Sequence, residues 1–391
     1  MTERNAINLI FLIAGISFAS WAGRLSVINT VFAFSGQELG YFLLCMTLGT
    51  LLGISLIPFV SSRISTRLLL LIFPLALAAC LVGLGIAVSL TNNPWLAFAI
   101  LFVNGIFFGS MDVMMNVSGA QVEQRLKHSI MPIFHGFFSL GSLLGAGIAT
   151  VTLTLKVSTF WHFMLVAGLI IGLAIIAQRG MSSWIQQAAT QQKSETTHSL
   201  HRNKLGLLLL LGVMVGGLSF AEGAANDWIA VATVDGHGLL HRMGALMFTC
   251  FVAAMTLGRF AGGKVVDRLG PLRTLMLMGT IGLAGICLFI LGQAPVVLAL
   301  GASMWGLGSS LGFPIGMSLA ASGSVELGPR AVSILSAFGY GSMLTGPPLI
   351  GFAVDQLGLP QALWIAAAVM ALSLLLTPLI SRTRLSAQRV S

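Results

Sequence analysis

The chain has 391 residues, of which 56% are apolar and only 8% are Asp, Glu, Lys or Arg, against roughly 25% charged in a soluble domain. So few charges cannot cover a globule of this size, and Phe outnumbers Tyr 24 to 2; a soluble enzyme and a nucleic-acid binder are excluded, and a polytopic membrane protein is implied. The net charge of +9 then reads as the excess of Lys and Arg that orients membrane helices.

A membrane-crossing helix needs about 20 mostly apolar residues. Cutting the chain at polar and Pro-containing breaks gives twelve segments, over 6–33, 37–60, 67–90, 95–122, 129–154, 159–179, 204–233, 242–266, 272–292, 295–322, 329–354 and 360–381. The first, opening MTERNAINLIFLIAG, has no small-residue cleavage site and is expected to be retained. Between the sixth and seventh segments the sequence turns polar and Gln/Ser/Thr-rich. This predicts a linker over 182–203 joining a six-helix bundle at 1–181 to another at 204–391, with His198 and His201 solvated. With the N-terminus inside, sixteen of the twenty Lys and Arg fall at inner ends and loops, and only Lys156 and Arg242 fall outside. Arg24 and Arg259 lie within segments. This bias predicts both termini on the cytoplasmic side of the inner membrane. Cys45, Cys80, Cys250 and Cys287 each stand alone in apolar runs. They read as small buried hydrophobes, and neither metal nor cofactor is expected.

Ionisable and polar side chains inside such segments are expensive and mark functional positions. Segment 1 carries Ser17, Ser20 and Arg24. Segment 4 carries Asn104, Phe108, Asp112 and Asn116 at a spacing of four, which is one helix face, and segment 5 carries His135, Ser139 and Ser142. At about 1.5 Å per residue, Asp112 lies roughly 16 Å from Glu123 and His135 roughly 12 Å from Lys127, so their depths agree. A partly desolvated carboxylate beside an imidazole can carry a proton, or serve as a static brace. Segment 7 adds Glu222, Asn226 and Asp227, and segment 8 adds Arg259. Asp112, His135 and Glu222 are the candidates for proton coupling, and Arg24, Asn104, Asn116 and Asn226 those for solute contact. Segments 3, 6, 9 and 12 hold no Asp, Glu, Lys or Arg away from their ends and read as lipid-facing. Pro314, Pro347 and Pro348 permit bends in segments 10 and 11. Trp21, Trp228 and Trp305 read either as sugar-stacking or as packing residues.

The two halves repeat each other. Gly15-Ile16-Ser17-Phe18-Ala19 recurs as Gly217-Leu218-Ser219-Phe220-Ala221, Met46-Thr47-Leu48-Gly49 as Met255-Thr256-Leu257-Gly258, and Gly141-Ser142-Leu143-Leu144 as Gly341-Ser342-Met343-Leu344. Three matches in the corresponding segments make an all-α membrane protein of twelve transmembrane helices in two pseudo-symmetric bundles, with a solute site near midplane between them.

After segment 8 the chain reads Gly263-Lys264-Val265-Val266-Asp267-Arg268-Leu269-Gly270-Pro271-Leu272-Arg273. This resembles the loop signature of the major facilitator superfamily, G-x-x-x-D-R-x-G-x-x-R. Its glycines allow a tight turn and close helix approach. The equivalent loop after segment 2 departs from the pattern, with Pro58 where the Asp belongs; Arg63 and Arg67 remain. FASWAGRL, GSMDVMMNVSGAQVE, MPIFHGFFSLGSLLGA, FAEGAANDWIAV and GYGSMLTGPPLIG resemble the MosC/YbjJ-like branch of that superfamily. The resemblance implies a monomeric secondary transporter working by alternating access, not an enzyme. Its partners would be a small-molecule solute, protons and the lipid bilayer, with no nucleic acid; the branch hints at a sugar- or polyol-like solute. Efflux of a drug or metabolite and a non-transporting sensor are the alternatives. Gly263, Asp267, Arg268, Gly270 and Arg273 would form a cytoplasmic gate. Since segments 1 and 7 face each other in this fold, Arg24 with Glu222 or Asp227 is expected to link the halves on the outer side.

Overall fold

The computed structural model describes residues 1–126, 130–181, 202–322 and 328–388. Most of the predicted linker, with His198 and His201, and Lys127 at the foot of segment 5 lie outside them. The described residues form helices and turns with no strand. In order these are α1 (Glu3–Ala22), α2 (Leu25–Phe32), α3 (Gly36–Ser61), α4 (Thr66–Ser89), α5 (Pro94–Leu126), α6 (Met131–Thr154), α7 (Thr159–Gln178), α8 (Arg202–Val231), α9 (His241–Leu269), α10 (Pro271–Leu291), α11 (Pro295–Ser309), α12 (Gly312–Ser322), α13 (Gly328–Leu357) and α14 (Trp364–Gln388). Eleven membrane spans are long and apolar enough by length and hydropathy, and α13, 30 residues long, supplies the twelfth. α1 with α2 makes the first span and α11 with α12 the tenth, and the seventh ends in a π-helical turn at Ala232–Gly236.

Local signals start these helices where the sequence breaks predict. Ser35 caps α3 while Glu38 reaches back to the Ser35 N–H, a reciprocal capping box. Thr2 and Ser65 cap α1 and α4, and Pro94, Pro271 and Pro295 open α5, α10 and α11, where a missing N–H costs nothing.

Two compact units emerge, Met1–Glu195 with Leu239–Thr249, and Thr196–Gly238 with Cys250–Ser391. In the first, α1 packs on α6, α3 on α5 and α4 on α7. Glycine makes this closeness possible. A Cβ on Gly15 would strike the Phe138 carbonyl and one on Gly141 the Leu12 carbonyl, and Gly49 and Gly105 stand likewise against the Phe102 and Met46 carbonyls. In the second unit α8 packs on α13, α10 on α14, and α9 on α11, where Gly306 lies against the Phe251 carbonyl. Spans 1–5, 2–4 and 3–6 are thus matched by 7–11, 8–10 and 9–12, and the sequence repeat has its counterpart in packing.

Burial does not separate every third span as lipid-facing. The first and seventh are the most enclosed, with 83% and 72% of their central residues buried, whereas the third is at 56% and the second at 28%. The spans without charges are therefore not the most exposed.

Candidate functional site

Helix α8 turns Glu222 toward α9, and Arg259 meets it there: the Arg259 Nη2 donates to the Glu222 Oε1 at 2.9 Å. Both side chains are mostly enclosed, at 17% and 22% exposure. A charge-assisted bond in such surroundings is strong, and loss of Arg259 leaves Glu222 an uncompensated ion. Asn226 and Asp227 follow on α8, both half-buried, and among the described residues Asp227 has no hydrogen-bond or ion-pair partner. The Trp305 indole N–H donates to the Ala221 carbonyl at 3.0 Å, and its ring lies edge-on to Phe251 and Phe289. Trp305 is a packing residue, fully enclosed, rather than a platform for a sugar ring. Trp228 is buried too.

In the first unit Asp112 accepts a hydrogen bond from the Asn116 amide at 3.3 Å, and the same amide donates to the Asp112 carbonyl at 2.8 Å. Both are half-buried. Asn104, two turns earlier on α5, is buried, and its Oδ1 has no partner. His135 is exposed on α6, its ring edge-on to Phe11 at 5.3 Å. Asp112 makes no hydrogen bond to it. Matched depth on two helices fixes one coordinate only: α5 belongs to the pair with α3, and α6 to the pair with α1.

Arg24 stands at the break between α1 and α2 and is only 2% exposed. Its Nη2 donates to the Thr152 Oγ1 at 2.9 Å and to the Val157 carbonyl at 3.0 Å. Arg24 and Glu222 are each partnered within their own unit, Arg24 by neutral oxygens and Glu222 by Arg259. His162, fully buried on α7, completes the Arg24 cluster through Thr152, 2.9 Å from its Nδ1. Sequence reasoning missed it because only Asp, Glu, Lys and Arg were counted in the sixth segment; extending the same test to His finds it.

The motif spans the last turns of α9, Gly270 and the first turn of α10. Gly270, at φ +76°, takes the left-handed turn that starts α10. Gly263 has open space around it, so the close approach expected there falls to Gly262, against the Leu311 side chain. Asp267, Arg268 and Arg273 are exposed, and Asp267 has no polar partner among the described residues. At the corresponding loop of the first half, Pro58 lies within α3. Arg67 there is joined to Gln178 at the end of α7, whose amide donates to the Arg67 carbonyl at 3.1 Å.

The chain is 27% identical over 372 residues to the uncharacterized transporter y4wD of Sinorhizobium fredii, covering 95% of this chain and 96% of the other. It is 28% identical over 373 residues to the membrane protein MosC of Rhizobium meliloti, covering 93% and 86%. Among solved structures it resembles the nucleoside transporter NupG, at a TM-score of 0.71 and 15% identity over 98% of this chain and 99% of that one. It also resembles a D-xylose-proton symporter, at 0.72 and 17% over 95% of each. The sequence profile of the Major Facilitator Superfamily matches residues 7–324 and 229–389. With twelve spans, a repeated helix pairing and this match over nearly its whole length, the chain belongs to the major facilitator superfamily.

Proposed function

We propose that this transporter carries a small polar solute, sugar- or polyol-like, unchanged across the inner membrane. It works by alternating access of the bundles 1–181 and 204–391 and is driven by protons, with both termini cytoplasmic and the protein acting as a monomer. The observation that carries the reading is the Glu222–Arg259 ion pair set in apolar helices, with the unpartnered Asp227 further along α8. A proton arriving on Glu222 removes the charge opposite Arg259, and weakening a charge-assisted bond in such surroundings is costly enough to bias one arrangement of the helices over another. Asp112 is the second proton carrier, braced by Asn116; His135, exposed on α6, is read as an entry group for protons. Asn104, Asn116 and Asn226 offer neutral donors and acceptors of the kind hydroxyl-rich solutes need. Arg24 acts on the solute indirectly, by holding the first span. Asp267, Arg268 and Arg273, turned by Gly270 and flanked by Gly263, form the cytoplasmic gate, with Asp227 at the outer end. A D-xylose-proton symporter and a nucleoside transporter among the structural neighbours support a hydroxylated solute, and the basic loops support the orientation.

The test is purified protein in proteoliposomes under an imposed pH gradient, with labelled pentoses, hexoses, inositols and nucleosides as solutes. Uphill accumulation that collapses with the gradient and is absent in Glu222→Gln is the expected result. Accumulation of one of these solutes that ignores the gradient overturns the proton coupling, and failure to move any of them overturns the solute class.

A further inference from the structure

The break in the first span has a specific cause and a specific repair. The Arg24 N–H bonds to the Trp21 carbonyl at 2.9 Å, three residues back rather than four. The Ser20 carbonyl therefore loses the N–H that a continuous helix would give it. The Nε2 of His162, on α7, stands 3.3 Å from that carbonyl. A carbonyl only accepts, so the ring nitrogen facing it carries the proton, and Nδ1 is then an acceptor. The Thr152 hydroxyl is 2.9 Å from Nδ1 and donates to it, while its oxygen accepts from Arg24. The Ile148 carbonyl, 2.7 Å away, competes for the Thr152 proton. Were it to win, His162 would have to donate from both nitrogens, placing a second cation beside Arg24 with no carboxylate at hand. With the ring neutral and its proton on Nε2, the Ser20 carbonyl, the Thr152 oxygen and Nδ1 each take one proton.

We propose that His162 is a positioning residue for the first span: it caps the Ser20 carbonyl at the break and, through Thr152, fixes the guanidinium of Arg24, so that α2 is held at a set angle to α1. Spans 1, 5 and 6 are joined at one point by Arg24, Thr152 and His162. For its part in transport this rests on the reading above; the geometry of the break does not.

The test is amide hydrogen exchange by mass spectrometry on the full chain in lipid nanodiscs, joined to 15N spectra of the labelled histidines with His162→Gln as the subtraction reference. The loss of a single capping bond is expected to speed exchange at residues 20–28 about fivefold to tenfold in His162→Leu. His162→Gln, which keeps a donor near the Nε2 position, is expected to stay close to wild type, and α10 and α14 are unchanged in both. The His162 signal is expected to show an unprotonated Nδ1 that shifts in Thr152→Val. Exchange at 20–28 unchanged in His162→Leu, or raised equally throughout the first unit, overturns the proposal, as does a doubly protonated ring at pH 7. None of these readouts uses a solute, so a wild-type protein that moves no sugar or polyol defeats the transport reading and leaves this one standing.

Discussion

Arg259 on α9 and Glu222 on α8 neutralise each other across 2.9 Å, which makes the two consecutive spans of the second half one electrostatic unit. Removing Arg259 leaves Glu222 as a lone ion in apolar surroundings. Arg259→Ala is therefore expected to destabilise the protein by about 3–5 kcal/mol, seen as a lowered thermal midpoint in detergent. The double variant Glu222→Leu with Arg259→Met should recover most of that stability while remaining inactive in uphill transport. A double variant that transports normally would remove the pair from the coupling mechanism.

Asp112, proposed as a proton carrier, takes a hydrogen bond from Asn116. Asp112→Asn keeps the size and the capacity to bond but cannot release a proton. Accumulation against a gradient is expected to vanish while equilibrium exchange of solute continues. Comparing counterflow with proton-driven uptake in the same vesicles checks this, and unchanged uphill uptake would clear Asp112 of that role.

The proposed gate motif has a different signature. Asp267 is exposed and has no polar partner among the described residues, so Asp267→Asn should alter stability by no more than about 0.5 kcal/mol. Its effect is expected instead in the balance of states, read by cysteine labelling from either side of sealed vesicles. A labelling pattern identical to wild type would count against a gating role.

Helix contact through glycine gives a sharp contrast. Gly105 stands against the Met46 carbonyl with no room for a Cβ, whereas Gly147 has nothing within 4 Å of where one would lie. Gly105→Val is expected to cost about 1–3 kcal/mol or more through forced separation of α3 and α5. Gly147→Ala should be neutral or slightly stabilising. Thermal midpoints of the two variants decide it.

His237 lies just beyond the seventh span, edge-on to Phe289 at 5.4 Å, and burial holds its pKa below the ordinary histidine value of about 6.5. As pH falls, the unfolded chain takes up the proton first. The stability contributed by the neutral ring is thus present above about 6.5 and lost below it. His237→Gln should flatten this part of the acid dependence of unfolding, and an unchanged slope between pH 7 and 5 would show that His237 does not contribute.

Span number, the repeat and the loop motif were legible in the sequence because each depends on composition or on order along one chain. Gly270 could be assigned its turn from spacing alone. Side-chain partners were not legible in the same way. Asp112 and His135 stand at similar distances from the inner ends of their helices, yet rotation about each helix axis decides what a side chain meets, and Asp112 takes its partner from its own helix. The break at Gly23 and Arg24 was hidden because no Pro announces it. His162 was hidden because one imidazole in an apolar run leaves hydropathy almost unchanged.

The glycine faces also impose a timetable on the making of the protein. Helix α3 cannot reach its final contact until α5 has left the ribosome, and α1 has to wait for α6. Until then a flat strip of glycine faces lipid, which gives it little van der Waals contact and no reason to settle early. The first half is therefore a loose collection of inserted helices for most of its synthesis and consolidates in a late step. A chain truncated between α5 and α6 would hold a finished α3–α5 pair beside an α1 without its mate, the kind of intermediate that membrane quality control removes.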